Sequence, residues 1–126
     1  MKRDTFYRCA ECGSIVVKVA DGGGELCCCK KPMQKIEANT SDGAQEKHVP
    51  VVTVDGDKLI ANVGSVDHPM LEEHSIQWIY VVTEEGVIAR CLKPGDSPHA
   101  EISLGGQKPV AVYEYCNLHG LWKTQL

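Results

Sequence analysis

Ile76-Gln77-Trp78-Ile79-Tyr80-Val81-Val82 runs into Glu84-Glu85-Gly86, and Val87-Ile88-Ala89-Arg90-Cys91-Leu92 then runs into Pro94-Gly95-Asp96. Both runs are of strand length, rich in β-branched and aromatic residues, and closed by turn residues. They read as β-strands and show no helical period. The same punctuation extends to either side. Val49 to Val54 ends at Asp55-Gly56-Asp57, and Leu59 to Val63 at Gly64-Ser65. Ala100 to Leu104 ends at Gly105-Gly106, and Val110 to Tyr115 leads into a loop holding Cys116. Six or seven such segments, spaced by roughly 8–12 residues, predict an antiparallel sandwich or barrel. Pro69 to Glu73 makes at most one helical turn, and there is no internal repeat, coiled coil or low-complexity tract.

Upstream the chemistry changes. Residues 1–36 hold five of the seven cysteines, Cys9, Cys12, Cys27, Cys28 and Cys29, among few large apolar side chains. A unit below about 40 residues rarely folds without a staple. The thiols must supply it, which makes metal binding part of the folding free energy. Cys9-Ala10-Glu11-Cys12 places two sulfurs on one tight turn whose backbone amides can donate to them. Two more thiols from Cys27-Cys28-Cys29 complete a tetrahedral sulfur site for zinc or iron. Spacing alone chooses neither the metal nor the two members of the triplet. Residues 37–45 are polar and read as a linker to the β-rich part.

The 126 residues suffice for one ordinary domain, or for a very small one joined to a medium one. A net charge of −4 offers no basic surface for nucleic acid or an acidic membrane. Met1-Lys2-Arg3-Asp4-Thr5 has no apolar run behind it, so no signal peptide is expected, and no stretch approaches membrane-spanning length. Grouped cysteines without a secretion signal read as metal ligands rather than disulfides. The expectation is a soluble protein of the reducing cytoplasm.

The β-rich part carries its own ligand set. His48, His68, His74 and His119 each fall at a strand–loop junction, and His119 closes Cys116-Asn117-Leu118-His119. Four neutral nitrogens and one thiolate form a five-ligand shell for a transition metal, one ligand too many for structural zinc. Ligands on loops held by a β scaffold suit a site partly open to solvent. His99 reads as a surface or satisfied core histidine, and Cys91, within its strand, as a buried apolar residue.

At this point the chain resembles the desulfoferrodoxin family, two-iron superoxide reductases, over essentially its whole length. The first part matches through Tyr7-x-Cys9-x-x-Cys12-Gly13, Gly24-Glu25-Leu26-Cys27-Cys28-Cys29 and Pro32-Met33. The second matches through Glu46-Lys47-His48-Val49-Pro50, His68-Pro69-Met70 with His74, Ile76-Gln77-Trp78, Leu92-Lys93-Pro94-Gly95 and Cys116-Asn117-Leu118-His119-Gly120-Leu121-Trp122. The resemblance implies a desulforedoxin-like, rubredoxin-like domain over 1–36 and an immunoglobulin-like β-sandwich over 37–126. It assigns one iron to Cys9, Cys12, Cys28 and Cys29, leaving Cys27 at a position that is usually aliphatic and Lys30 where glycine is common. It assigns a second iron to His48, His68, His74 and His119 in a plane, with Cys116 as axial thiolate. It further implies one-electron reduction of superoxide to hydrogen peroxide, an external donor of the rubredoxin type, and usually a homodimer. Lys47 would attract the anion, and Glu46 would close onto the oxidised site. Read from the residues alone, Glu46 and Lys47 are an exposed charged linker end. The competing readings are a zinc-ribbon plus β-sandwich binding module without catalysis, and an iron electron carrier.

Overall fold

A computed structural model describes residues 3–41 and 43–126. The chain forms two compact units, the first ending at Glu37 and the second beginning at Ala38.

The first unit contains β1 (Phe6–Arg8), β2 (Ile15–Val17), β3 (Cys27–Cys28), β4 (Lys31–Pro32) and β5 (Gln34–Ile36). Strand β1 is the middle of a three-stranded antiparallel sheet, β2-β1-β5, and β3 pairs with β4. The turn after β1 closes through Cys9 N–H to the Ser14 carbonyl and Gly13 N–H to the Cys9 carbonyl, both at 2.9 Å. Gly13 has φ +78°, a conformation that suits glycine. The β3–β4 hairpin has a two-residue loop, Cys29-Lys30, with φ +52° and +64°. Two left-handed central residues are the requirement of a type I′ hairpin, normally met by Asn-Gly. Adjacent cysteines on a flat strand would point to opposite faces; the left-handed Cys29 turns its thiol back beside that of Cys28. Among the described residues of this unit only Phe6 and Cys9 are buried.

The second unit begins with one helical turn, α1 (Gln45–His48), followed by β6 (Pro50–Asp55), β7 (Lys58–Val63), β8 (Ile76–Thr83), β9 (Val87–Cys91), β10 (His99–Ser103), β11 (Pro109–Cys116) and β12 (Gly120–Gln125). They form two antiparallel sheets, β10-β7-β6 and β12-β11-β8-β9. Leu59, Ala61 and Val63 of β7, Ile79 and Val81 of β8, Ala100 and Ile102 of β10, and Val112 of β11 make up the core. Three strands facing four across such a core form a β-sandwich of the immunoglobulin-like layout. At the metal-ligand end the β8–β11 ladder passes from Trp78↔Tyr115 directly to Ile76↔Cys116. Gln77 is the extra residue of a bulge, and it brings both Ile76 and Cys116 into the core.

Four features depart from the sequence reading. Gly120–Gln125 is a full strand, although Gly120 and three polar residues obscure its apolar pattern. The helical turn at Gln45–His48 lies within and just beyond the stretch read as linker; four residues are too few to show a period. Asn39 and Ser41 of that stretch are tied down. Asn39 exchanges bonds with the backbone of Leu121 and Lys123, and the Ser41 hydroxyl donates to the His119 carbonyl, so residues 39–41 run along the outer edge of β12. Cys91 is exposed, not buried: it pairs with Trp78 on the face of the edge strand β9 that points away from the core. No helix among the described residues is long and apolar enough to cross a membrane.

Candidate metal centres

His48 ends α1, His68 and His74 lie on the β7–β8 connection, and Cys116 and His119 bracket the turn between β11 and β12. These three segments converge so that one ligand atom from each of the five residues lies within 4.8 Å of the others. The four imidazoles form a ring. Neighbouring pairs His48–His68, His68–His74, His74–His119 and His119–His48 have centroids 4.7, 4.6, 5.1 and 4.8 Å apart and planes 74–86° from one another. The opposite pair His48–His74 is 6.5 Å apart and tilted by only 31°. Near-equal sides with a longer diagonal describe a square of mutually perpendicular rings.

Second-layer contacts determine which nitrogens face inward. His48 Nδ1 lies 2.7 Å from the Ala44 carbonyl and His68 Nδ1 2.6 Å from the Pro69 carbonyl. A carbonyl only accepts, so each Nδ1 carries the hydrogen and each Nε2 presents a lone pair. Those lone pairs face one another: His48 Nε2 is 3.1 Å from His68 Nε2 and from His119 Nδ1. Burial holds His48, His68 and His74 below the usual histidine range, His68 down to about 4, so the rings are neutral. His74 Nε2 is buried with no hydrogen-bond partner. Bare nitrogens gathered this closely repel unless a cation stands between them, so the donor set fits a metal. Cys116 is wholly buried, its Sγ 3.9 Å from His119 Nδ1. Burial pushes its thiol up, while the backbone amides of His119 and Leu118 favour the thiolate.

In the first unit Cys9, Cys12, Cys28 and Cys29 form the second group, again within 4.8 Å. Cys12 Sγ is 3.6 Å from Cys28 Sγ, which is 3.9 Å from Cys29 Sγ. The Ser14 hydroxyl, 3.1 Å away, and its backbone draw Cys12 down to about 6. Beside that thiolate the Cys28 thiol is pushed up to about 12. The backbone amide of Cys12 likewise lowers Cys9. Four sulfurs this close cannot all ionise by themselves, and a cation that allows it is what such a set selects. Cys27 stands apart, exposed, its thiol directed to Glu25 Oε1 at 3.6 Å.

The desulfoferrodoxin family model matches residues 40–125, and the model of the desulfoferrodoxin N-terminal domain matches residues 2–36. The chain belongs to the desulfoferrodoxin family. Desulfoferrodoxin of Nitratidesulfovibrio vulgaris is 49% identical over 120 residues, covering 95% of this chain and 94% of that one. The crystal structure of the superoxide reductase from Treponema pallidum superimposes with a TM-score of 0.80 at 32% identity, over 96% of this chain and 98% of that one. The one-iron superoxide reductase of Giardia intestinalis matches with a TM-score of 0.52 at 29% identity, covering 64% of this chain and 97% of that one.

Within this desulfoferrodoxin fold Glu46 and Lys47 are exposed on α1, two residues and one residue before His48. The turn is held by its backbone. The Glu46 carbonyl accepts from Val66 N–H at 2.8 Å and from the Ser65 hydroxyl at 3.2 Å. Gly64 packs so close that a Cβ there would lie 2.6 Å from the same carbonyl oxygen. The Lys47 ammonium is felt electrostatically at both His48 and His74. His99 lies apart on β10, with Nε2 3.8 Å from Glu101. Two participants escaped the sequence reading. Trp122 stacks on His48 at 4.9 Å and 24°. Glu114 is fully buried with both carboxylate oxygens unpartnered, and burial pushes its carboxyl up to about 9. Strand alternation from Cys116 to the residue two before it on β11 was the signal available for Glu114.

Proposed function

We infer that this chain is a superoxide reductase, which reduces superoxide to hydrogen peroxide by one electron and does not dismute it to oxygen. The observation that carries the reading is the square of four imidazoles with one buried thiol among them. A zinc-ribbon binding module has no use for such a set, and an electron carrier has no use for a coordination position left open. His48, His68, His74, His119 and Cys116 would hold one iron, the four imidazoles and the thiol each offering one ligand atom. Cys9, Cys12, Cys28 and Cys29 hold a second iron in the first unit. A ferrous ion held by the four histidines and Cys116 would supply the one electron that, with two protons drawn ultimately from water, converts superoxide to hydrogen peroxide. Half-buried His74 and His119 against a fully buried Cys116 support an approach to the site from the side away from the thiol.

The chain's own residues prepare that approach. Lys47 attracts the small anion and offsets the negative charge that develops on reduction. Glu46, exposed on the same turn, would close toward the site once it is oxidised. The Leu118 and His119 amides favour the Cys116 thiolate at a position where burial opposes it. An external donor of the rubredoxin type returns the electron. A homodimer in the cytoplasm completes the assignment; seven free cysteines suit a reducing compartment.

Anaerobic metal quantification with a visible spectrum tests the reading. Two irons per chain and a thiolate-to-iron absorption that vanishes in Cys116→Ala are expected, while one zinc and no colour would overturn it. Lys47→Ala should retain both irons yet react more slowly with superoxide. Reaction at the wild-type rate across pH would remove the role given to Lys47.

A further inference from the structure

Asn117 stands between two ligands in sequence, and its side chain is committed to a third. Its Oδ1 accepts from Ser75 N–H at 2.9 Å, and its Nδ2 donates to the Glu73 carbonyl at 3.0 Å. Its own N–H donates to the Ser75 carbonyl at 3.3 Å. Glu73 and Ser75 are the two neighbours of His74. One amide therefore spans more than 40 residues of chain to grip the backbone on both sides of a single imidazole.

His74 is the ligand that needs this. The His48 and His68 rings are oriented by carbonyls at their Nδ1 atoms. Neither ring nitrogen of His74 has a hydrogen bond among the described residues, and its Nε2 is buried without a partner. Its direction must come from its backbone, held otherwise only by the narrow Leu71–His74 bridge, at 2.9 and 3.2 Å.

We propose that Asn117 is a positioning residue for the five-ligand centre: its side-chain amide, bonded on both sides of His74, sets that imidazole in register with Cys116 and His119. The proposal rests on the reading of these five residues as iron ligands. Outer-layer partners of metal-bound histidines typically contribute 10–100-fold in affinity. A bracket on the backbone acts like a ring hydrogen bond, by restricting where the nitrogen can stand.

The test uses the full-length, iron-loaded protein, with the first unit's iron as internal control. Asn117→Ala should release iron from the five-ligand centre to a chelator roughly 10–100-fold faster, read by loss of the thiolate-to-iron absorption, with the other iron retained. In a His74→Ala background the same substitution should change release by less than about twofold, since its target is gone. Release from Asn117→Ala within twofold of wild type overturns the proposal, as does an undiminished effect without His74, which would make Asn117 a general loop tie. Asn117→Asp keeps the Ser75 bond but sets a carboxylate oxygen against the Glu73 carbonyl. It should release iron faster than wild type, and it decides the matter if the alanine variant does not fold. Wild-type protein that takes up no iron at this centre would sink the functional reading instead. The bracket would then be judged on metal-free protein, where Asn117→Ala should speed amide exchange at Ser75 at least about tenfold, and unchanged exchange would refute it.

Discussion

In the first unit all four sulfurs come from two short turns, Cys9 to Cys12 and Cys28-Cys29, and only Phe6 and Cys9 are buried among its described residues. In the second, the five clustered residues come from three segments between His48 and His119, mounted at one end of a sandwich whose core residues are almost wholly enclosed. The electrostatics diverge in the same way. The thiol cluster is a set of competing acids, with Cys12 drawn down to about 6 and Cys28 pushed up to about 12. In the histidine square burial lowers His48, His68 and His74 and pushes the one thiol, Cys116, up. The cysteine cluster takes the place of a core, so on the proposed reading a metal there would act as a folding element. The histidine cluster is carried by a core, so a metal there would be free to serve chemistry.

Removing metal strains this comparison most. Chelation in denaturant-free buffer should collapse hydrogen-exchange protection in β1–β5 and leave β6–β12 protected. Equal loss in both units would break the distinction. Next in size is the contrast within the cysteine triplet. Cys28→Ser should abolish iron binding in the first unit, whereas Cys27→Ser, at the thiol facing Glu25, should leave it intact. Iron measured per chain separates the two, and equal loss would place Cys27 in the ligand set.

A smaller effect probes the sandwich. Glu114 keeps its proton in the folded state up to about 9, while the unfolded chain releases it near 4.5. Across that window the folded state binds more protons, so stability falls as pH rises. Glu114→Gln should remove that slope and stabilise the second unit by on the order of 3 kcal/mol at pH 7, measured by chemical unfolding from pH 5 to 9. No gain at pH 8 would mean that the carboxyl has a partner in solution. The smallest effect returns to the first unit. Lys30 occupies a left-handed position with φ +64°, so Lys30→Gly should stabilise the iron-bound form by roughly 0.5–1 kcal/mol. Slower iron loss to chelator would register it, and faster loss would show that the Lys30 side chain matters more than its backbone.

Much of this was open to inspection before any coordinates. Six of the seven sandwich strands announce themselves because each is a short apolar run cut off by Gly, Pro or Asp. Gly120–Gln125 escaped because its pairing with β11, not its own pattern, makes it a strand. The ligand candidates were legible because histidine and cysteine at strand–loop junctions are chemically conspicuous. Cys91 misled because alternation puts a residue on one of two faces, and only the neighbour in the sheet says which of them is the core.

Composition and spacing by themselves marked out a small cysteine-rich stretch, a β-rich larger one, and two sets of candidate metal-ligating side chains. Those are properties of residue type and local period, and they need no partner in space. Only the tertiary structure decided that four imidazoles stand in a square, that Cys29 turns back beside Cys28 through a left-handed hairpin, and that Asn117 grips the backbone around His74. Each depends on segments far apart in the chain being brought within a few ångströms, or on a backbone angle that residue type permits without dictating.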